Sequence, residues 1–115
     1  MWTDDGTALD ILTAARRIRE FAAGLTRAQL DTNLLVQSAL LHQIILLGEA
    51  VKRLSNEFRQ AHPSIPWTQI AGMRDRCVHD YDNVDLDLVW EVAQVHAQPL
   101  ADYLEKIVPK PPPDV

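Results

Sequence analysis

The chain has one cysteine, Cys77, so no disulfide forms within it. Its glycines, Gly6, Gly24, Gly48 and Gly72, are isolated. A phosphate-cradling loop and a dinucleotide-binding turn both need clustered glycines, and both are excluded. No serine sits in a Gly-x-Ser-x-Gly turn, so a serine hydrolase has no support. The histidines, His42, His62, His79 and His96, include no pair four apart, and no metal site is expected. Unbroken apolar runs are short, as in Ile44-Ile-Leu-Leu47, and no membrane span is expected. The start, Met1-Trp-Thr-Asp-Asp5, is acidic and lacks the basic and apolar regions of an export signal. A reducing, cytoplasmic setting is the expectation. Alternating apolar-polar runs of strand length are also missing.

What remains is a helical, ordinary globular composition: 115 residues, 47% apolar and 23% charged. Residues 1–108 are expected to form one domain, followed by a proline-rich, extended tail over 109–115. The net charge of −5 argues against a general nucleic-acid coat. A small basic pocket is still open to Arg74, Arg76, Lys52, Arg53 and Arg59, against the plainer reading of a solvated helix surface.

Apolar periodicity predicts an all-α, up-and-down bundle of four to five helices. The first runs from about Asp4 to Leu25, with Leu12, Ala15, Ile18 and Ala22 on one stripe. A long second helix is expected from about Gln29 to Ala61. Leu40, Ile44, Leu47, Val51, Leu54 and Phe58 step along it, flanked by Leu30, Leu34, Leu41 and Ile45. This apolar surface is wider than one neighbour buries, so the helix is central, faces a second copy, or both. His62-Pro-Ser-Ile-Pro66 ends it. A third helix is expected from Pro66 to about His79. Asp80-Tyr-Asp-Asn83 is turn chemistry, Asp85 caps a fourth helix, and Pro99 breaks or kinks it before a last helix over Leu100 to Val108.

The stretch Arg74-Asp-Arg-Cys-Val-His79-Asp-Tyr81 concentrates the chemistry. Arginine is a permanent fork-shaped cation suited to phosphate oxygens. Histidine moves protons near neutral pH. On a continuing helix, Arg74 and Tyr81 share a face, and Asp75 can hydrogen-bond His79 one turn on. The catalytic candidates are Arg74 and His79, with Asp75 and Tyr81 supporting. A purely structural reading fits the same residues: His79 at a helix's negative end, Asp75 pairing with it, and Tyr81 as a half-buried anchor. His42 and His96 lie on apolar stretches and read as interior or interface histidines. Trp2, Trp67 and Trp90 read as anchors.

Gly48-Glu-Ala-Val-Lys-Arg-Leu-Ser55, His62-Pro-Ser-Ile-Pro-Trp67, Ile70-Ala-Gly-Met-Arg-Asp-Arg-Cys-Val-His-Asp-Tyr81 and Val84-Asp-Leu-Asp-Leu-Val-Trp-Glu91 together resemble the HepT-like family of HEPN domains. The resemblance spans about residues 8–108. Asp82-Asn83 departs from the aromatic and glycine often found there. The resemblance implies a homodimer with the Arg-x4-His motifs of both copies meeting in a cleft. It implies a metal-independent endoribonuclease, without cofactor, acting as the toxin of a toxin–antitoxin pair. The implied partner is an MntA-like nucleotidyltransferase that silences the toxin by AMPylation of Tyr81. Two rivals stand beside it: a non-catalytic helical module that docks a nucleotidyltransferase or a nucleotide, and a dimer that has lost activity.

Overall fold

A computed structural model describes residues 3–80 and 83–108, and the backbone alone of 78–80. Tyr81, Asp82 and the tail at 109–115 lie outside the described residues. Helix α1 spans Asp4–Ala22; Thr3 caps it by accepting from the Gly6 N–H at 3.0 Å. Asp4 and Asp5 in its first turn face the positive end of the helix dipole. It stops before the expected Leu25, because Gly24 turns the chain through the left-handed region at φ 73°. Ile11, Leu12, Ala15, Ile18 and Ala22 are buried, so the predicted stripe is the packed one.

The single long helix expected over 29–61 is instead three: α2 at Arg27–Thr32, α3 at Leu34–Arg53 and α4 at Asn56–Ala61. Caps override the apolar period. Asn33 accepts from the Val36 N–H at 3.1 Å and starts α3, while the Gln37 amide donates to the Leu30 carbonyl at 2.8 Å and closes α2. At the far end Ser55 caps α4 through the Phe58 N–H at 3.1 Å. Ser55 also donates to Asp4 from its backbone N–H at 2.9 Å and its hydroxyl at 2.6 Å. A contact across 51 residues thus fixes the break, which no local periodicity shows.

Helix α5 covers Trp67–Cys77 and ends two residues short of the expected His79. Two short strands follow, β1 at Val78–Asp80 and β2 at Asn83–Val84, paired antiparallel with Val78 opposite Val84 and Asp80 opposite Asn83. Asp85 caps α6, Leu86–Glu91, as its position predicts, accepting from the Leu88 N–H at 3.0 Å. Pro99 does not end the run. A π-helical stretch, Val92–His96, precedes α7 at Ala97–Ile107, and the helix passes through Pro99. The widened turn accommodates a ring that has no N–H to donate.

The architecture is an all-α bundle. Helix α3 sits centrally, packed on α1 and α5, while α1 also packs on α7. By length and mean hydropathy, 1.6, α3 is long and apolar enough to cross a membrane, a property that the short apolar runs did not suggest. Here its Leu40, Ile44, Leu47 and Val51 are the buried centre of the bundle. Its first turn is uncovered: Leu34 is 75% exposed and Leu35 80%. Arg27 ties α2 to α6 through Asp87 at 2.7 Å and also holds Asp31 at 2.6 Å.

Candidate active site

The site is built on the end of α5. Ile70, Met73 and Cys77 recur at helical spacing and bury one face of this helix, largely against α3. Trp67 anchors its start, buried and donating its indole N–H to the His62 carbonyl at 3.0 Å. Opposite α5, the second residue of the pair Leu47-Gly48 presents no side chain. A methyl there would stand 3.4 Å from the Ala71 carbonyl oxygen and 3.6 Å from the Arg74 Cβ. Gly48 is therefore the seat on which the Arg74 turn rests. The sequence shows Gly48 as an isolated glycine and as the first residue of a segment carrying the family resemblance; a glycine on an otherwise apolar helix face was the signal for its packing role.

Arg74 points away from the core. Its side chain is 47% exposed, and its Nη1 donates to Asp75 at 3.1 Å. Neighbouring residues on a helix face different ways, and a half-exposed pair of this kind is weak. A phosphate can displace it. Elsewhere α3 carries exposed Leu34, Leu35 and Leu46 and half-buried Leu41 and Ile45.

His79 does not share a helix with Arg74. The Cys77 carbonyl, at the end of α5, accepts from the Asp85 N–H at 2.7 Å, and the chain leaves as β1. The expected helical i, i+4 relation of Asp75 and His79 is therefore lost. The His79 side chain and all of Tyr81 lie outside the described residues. Val78, a β-branched residue ahead of turn-forming Asp80 to Asn83, favours the extended exit.

The remaining candidates disperse. Arg53 reaches Asp10 at 3.7 Å, and Arg59 donates to the Val51 carbonyl at 2.7 Å. His42 and His96 are exposed in the single chain, not interior. His62 shares a 2.8 Å hydrogen bond with the Tyr103 hydroxyl. Cys77 is buried, and burial, reinforced by nearby Asp85, pushes its thiol up to about 11 despite Arg76. It is no nucleophile at neutral pH. Among the described residues no three His, Cys, Asp or Glu side chains gather as a metal site.

Comparison with known proteins agrees with this architecture. Residues 11–107 match the family described as ribonuclease HepT-like. A candidate RNase of Methanocaldococcus jannaschii is 32% identical over 99 residues, covering 86% of this chain and 85% of that protein. A candidate ribonuclease HepT of Thermococcus cleftensis is 32% identical over 98 residues, covering 85% and 89%. A longer M. jannaschii protein, named both a gamma-glutamylcyclotransferase and a candidate RNase, is 36% identical; this chain spans 85% of itself but 44% of that protein. No solved structure matches. With the match running through nearly all of the bundle, from α1 to α7, the chain belongs to the ribonuclease HepT-like family.

Proposed function

We propose that this chain is a metal-independent endoribonuclease toxin whose cleft forms between two copies, and that a partner nucleotidyltransferase silences it by AMPylating Tyr81. The observation that carries the reading is Arg74, exposed and, among the described residues, spent only on a weak pair with Asp75, together with the uncovered leucines Leu34 and Leu35 on the outer side of α3. A second copy seated on that side covers leucines that otherwise meet water, and it brings two Arg74 turns toward one another. The ribonuclease names of relatives support the activity.

The chemistry suits the residues. RNA carries its own nucleophile, the 2′-hydroxyl. His79 takes the proton from that hydroxyl, and the oxygen attacks the adjacent phosphorus. The bond from phosphorus to the 5′-oxygen breaks, and the leaving oxygen takes a proton from an imidazolium, leaving a 2′,3′-cyclic phosphate. General acid–base help of this type is worth about 10²–10⁴-fold. Arg74 binds the non-bridging oxygens and offsets the charge that grows on them. In the silencing step the Tyr81 phenolic oxygen attacks the α-phosphorus of ATP, pyrophosphate leaves, and the phenolic proton passes to solvent. The attached phosphate then competes with RNA for Arg74.

The test is cleavage of a single-stranded RNA in EDTA by the wild type, Arg74→Ala and His79→Ala, with dimer content measured by light scattering. Cleavage by the wild type alone, from equally folded dimers, is the expected result. Cleavage by His79→Ala at the wild-type rate refutes the catalytic assignment. Tight binding of the nucleotidyltransferase without any cleavage would identify a docking module instead. Mass spectrometry after co-expression with the nucleotidyltransferase is expected to find an adenylyl group on Tyr81; adduct-free Tyr81 in a silenced complex refutes that step.

A further inference from the structure

A cavity of about 590 Å³ lies between α3, α5, the π-helical stretch and α7. Its walls are apolar: Leu47, Ile70, Met73, Val92 and Leu100. Two exposed cations line it where it meets solvent, Arg76 and, when protonated, His96. Arg76 has no ion-pair partner among the described residues. His96 stands 3.7 Å from the Glu91 carboxylate. Tyr103 also lines the cavity, but its hydroxyl is already bonded to His62.

Two further observations show that this space is not a packing fault. Val95 lines it and is 55% exposed, an apolar side chain held at an opening. The π-helical Val92–His96 borders it, and widened turns of this kind recur at functional sites. Pro99 explains why a widened turn forms here; it does not explain an apolar space beside a guanidinium that has no ion pair among the described residues.

We propose that the cavity binds a small amphiphilic anion, an acyl chain carrying one carboxylate. The volume falls in the range of about 300–1,000 Å³ usual for small-ligand sites. The apolar body replaces water against Leu47, Ile70, Met73, Val92 and Leu100. The carboxylate takes the two parallel N–H groups of the Arg76 fork. Glu91 disfavours a second negative charge near His96, so a single head group suits the site. The proposal does not depend on the ribonuclease reading, since Arg74 is not among the described residues that line the cavity.

The probe is decanoate, with 1-decanol as its uncharged counterpart, each titrated against full-length protein carrying anilinonaphthalene sulfonate as a fluorescent reporter. Decanoate is expected to displace one reporter per chain, and 1-decanol to need at least about tenfold more, the cost of a lost charge-assisted hydrogen bond. Arg76→Gln is expected to weaken decanoate about tenfold and leave 1-decanol unchanged. Val95→Trp, which fills the opening from an exposed position, is expected to block both ligands with helix content intact by circular dichroism. Absence of saturable binding overturns the proposal. So does equal binding of the two ligands by the wild type, or binding that neither substitution alters.

Discussion

Gly48 offers a graded test of how the Arg74 turn is held. An alanine methyl there meets the Ala71 carbonyl oxygen at 3.4 Å and the Arg74 Cβ at 3.6 Å, both ordinary contacts. Alanine also removes the glycine penalty within a helix, about 1 kcal/mol. Gly48→Ala is therefore expected to be neutral or to stabilise by up to about 1 kcal/mol, with RNA cleavage retained. Leucine has no such room. Its branches reach past the Cβ toward the Ala71 and Ile70 carbonyls and push α5 off α3. Overpacking of this kind costs about 1–3 kcal/mol. Because Arg74 rests on the same contact, its guanidinium moves with the helix. Misplacement by about 1 Å can lower cleavage about 100-fold. Urea unfolding and initial cleavage rates on both variants decide the matter. A Gly48→Ala variant that loses more than about 2 kcal/mol, or a Gly48→Leu variant with wild-type stability and rate, refutes the account.

Other outcomes follow from single contacts. If two copies pair as proposed, Leu35→Glu, at an exposed position of α3, is expected to leave helix content unchanged and convert that dimer to monomer in light scattering; a persistent dimer removes this side as the interface. The Asp4 carboxyl is held below its ordinary value by the Ser55 hydroxyl first and the Ser55 N–H second. Its stabilisation is therefore present above the ordinary carboxylate pKa of about 4 and fades as pH falls through the lowered one. Asp4→Asn is expected to lower the urea midpoint at pH 6 and to narrow that gap at pH 3. The Cys77 thiol, pushed up to about 11, stays neutral in the folded chain while an unfolded thiol ionises from about pH 8.5, so stability is expected to fall between those values. Cys77→Ala flattens that alkaline limb. At pH 8 the native thiol is expected to resist a thiol-reactive dye until the chain unfolds.

The sequence carries the fold in its apolar spacing and loses it where distant side chains intervene. The stripes of α1 and α3 are buried as the 3.6-residue period implies. Asp85 and Pro66 mark helix starts because caps and proline act locally. The break at Ser55 is invisible because its second partner, Asp4, is 51 residues away. The exit of the chain after Cys77 is hidden for a similar reason. It is held by the Asp85 N–H across the hairpin, and locally only Val78 and the turn residues after it favour it. The α5–α7 cavity draws its walls from α3, α5 and α7, and no single segment announces it. Arg74, by contrast, was legible as a chemical group, and it stands exposed in the last turn of α5.

That helix-to-strand exit bears on which Arg74 works with which His79. Three helical steps to Cys77 and two extended steps to His79 separate the two by up to about 11 Å along the backbone, against about 7.5 Å had the helix continued. The longer span favours a cleft in which the guanidinium of one copy meets the imidazole of the other. Mixing the two inactive variants tests this directly. In a dimer of one Arg74→Ala chain and one His79→Ala chain, a shared cleft leaves one site with both groups intact. Random exchange makes about half of the dimers mixed, each with one of its two sites whole, so about a quarter of wild-type cleavage is expected. If each chain instead supplies both groups to its own site, no mixed dimer contains an intact pair. Cleavage then stays at the level of the separate variants, and the shared cleft is refuted even though the ribonuclease assignment stands.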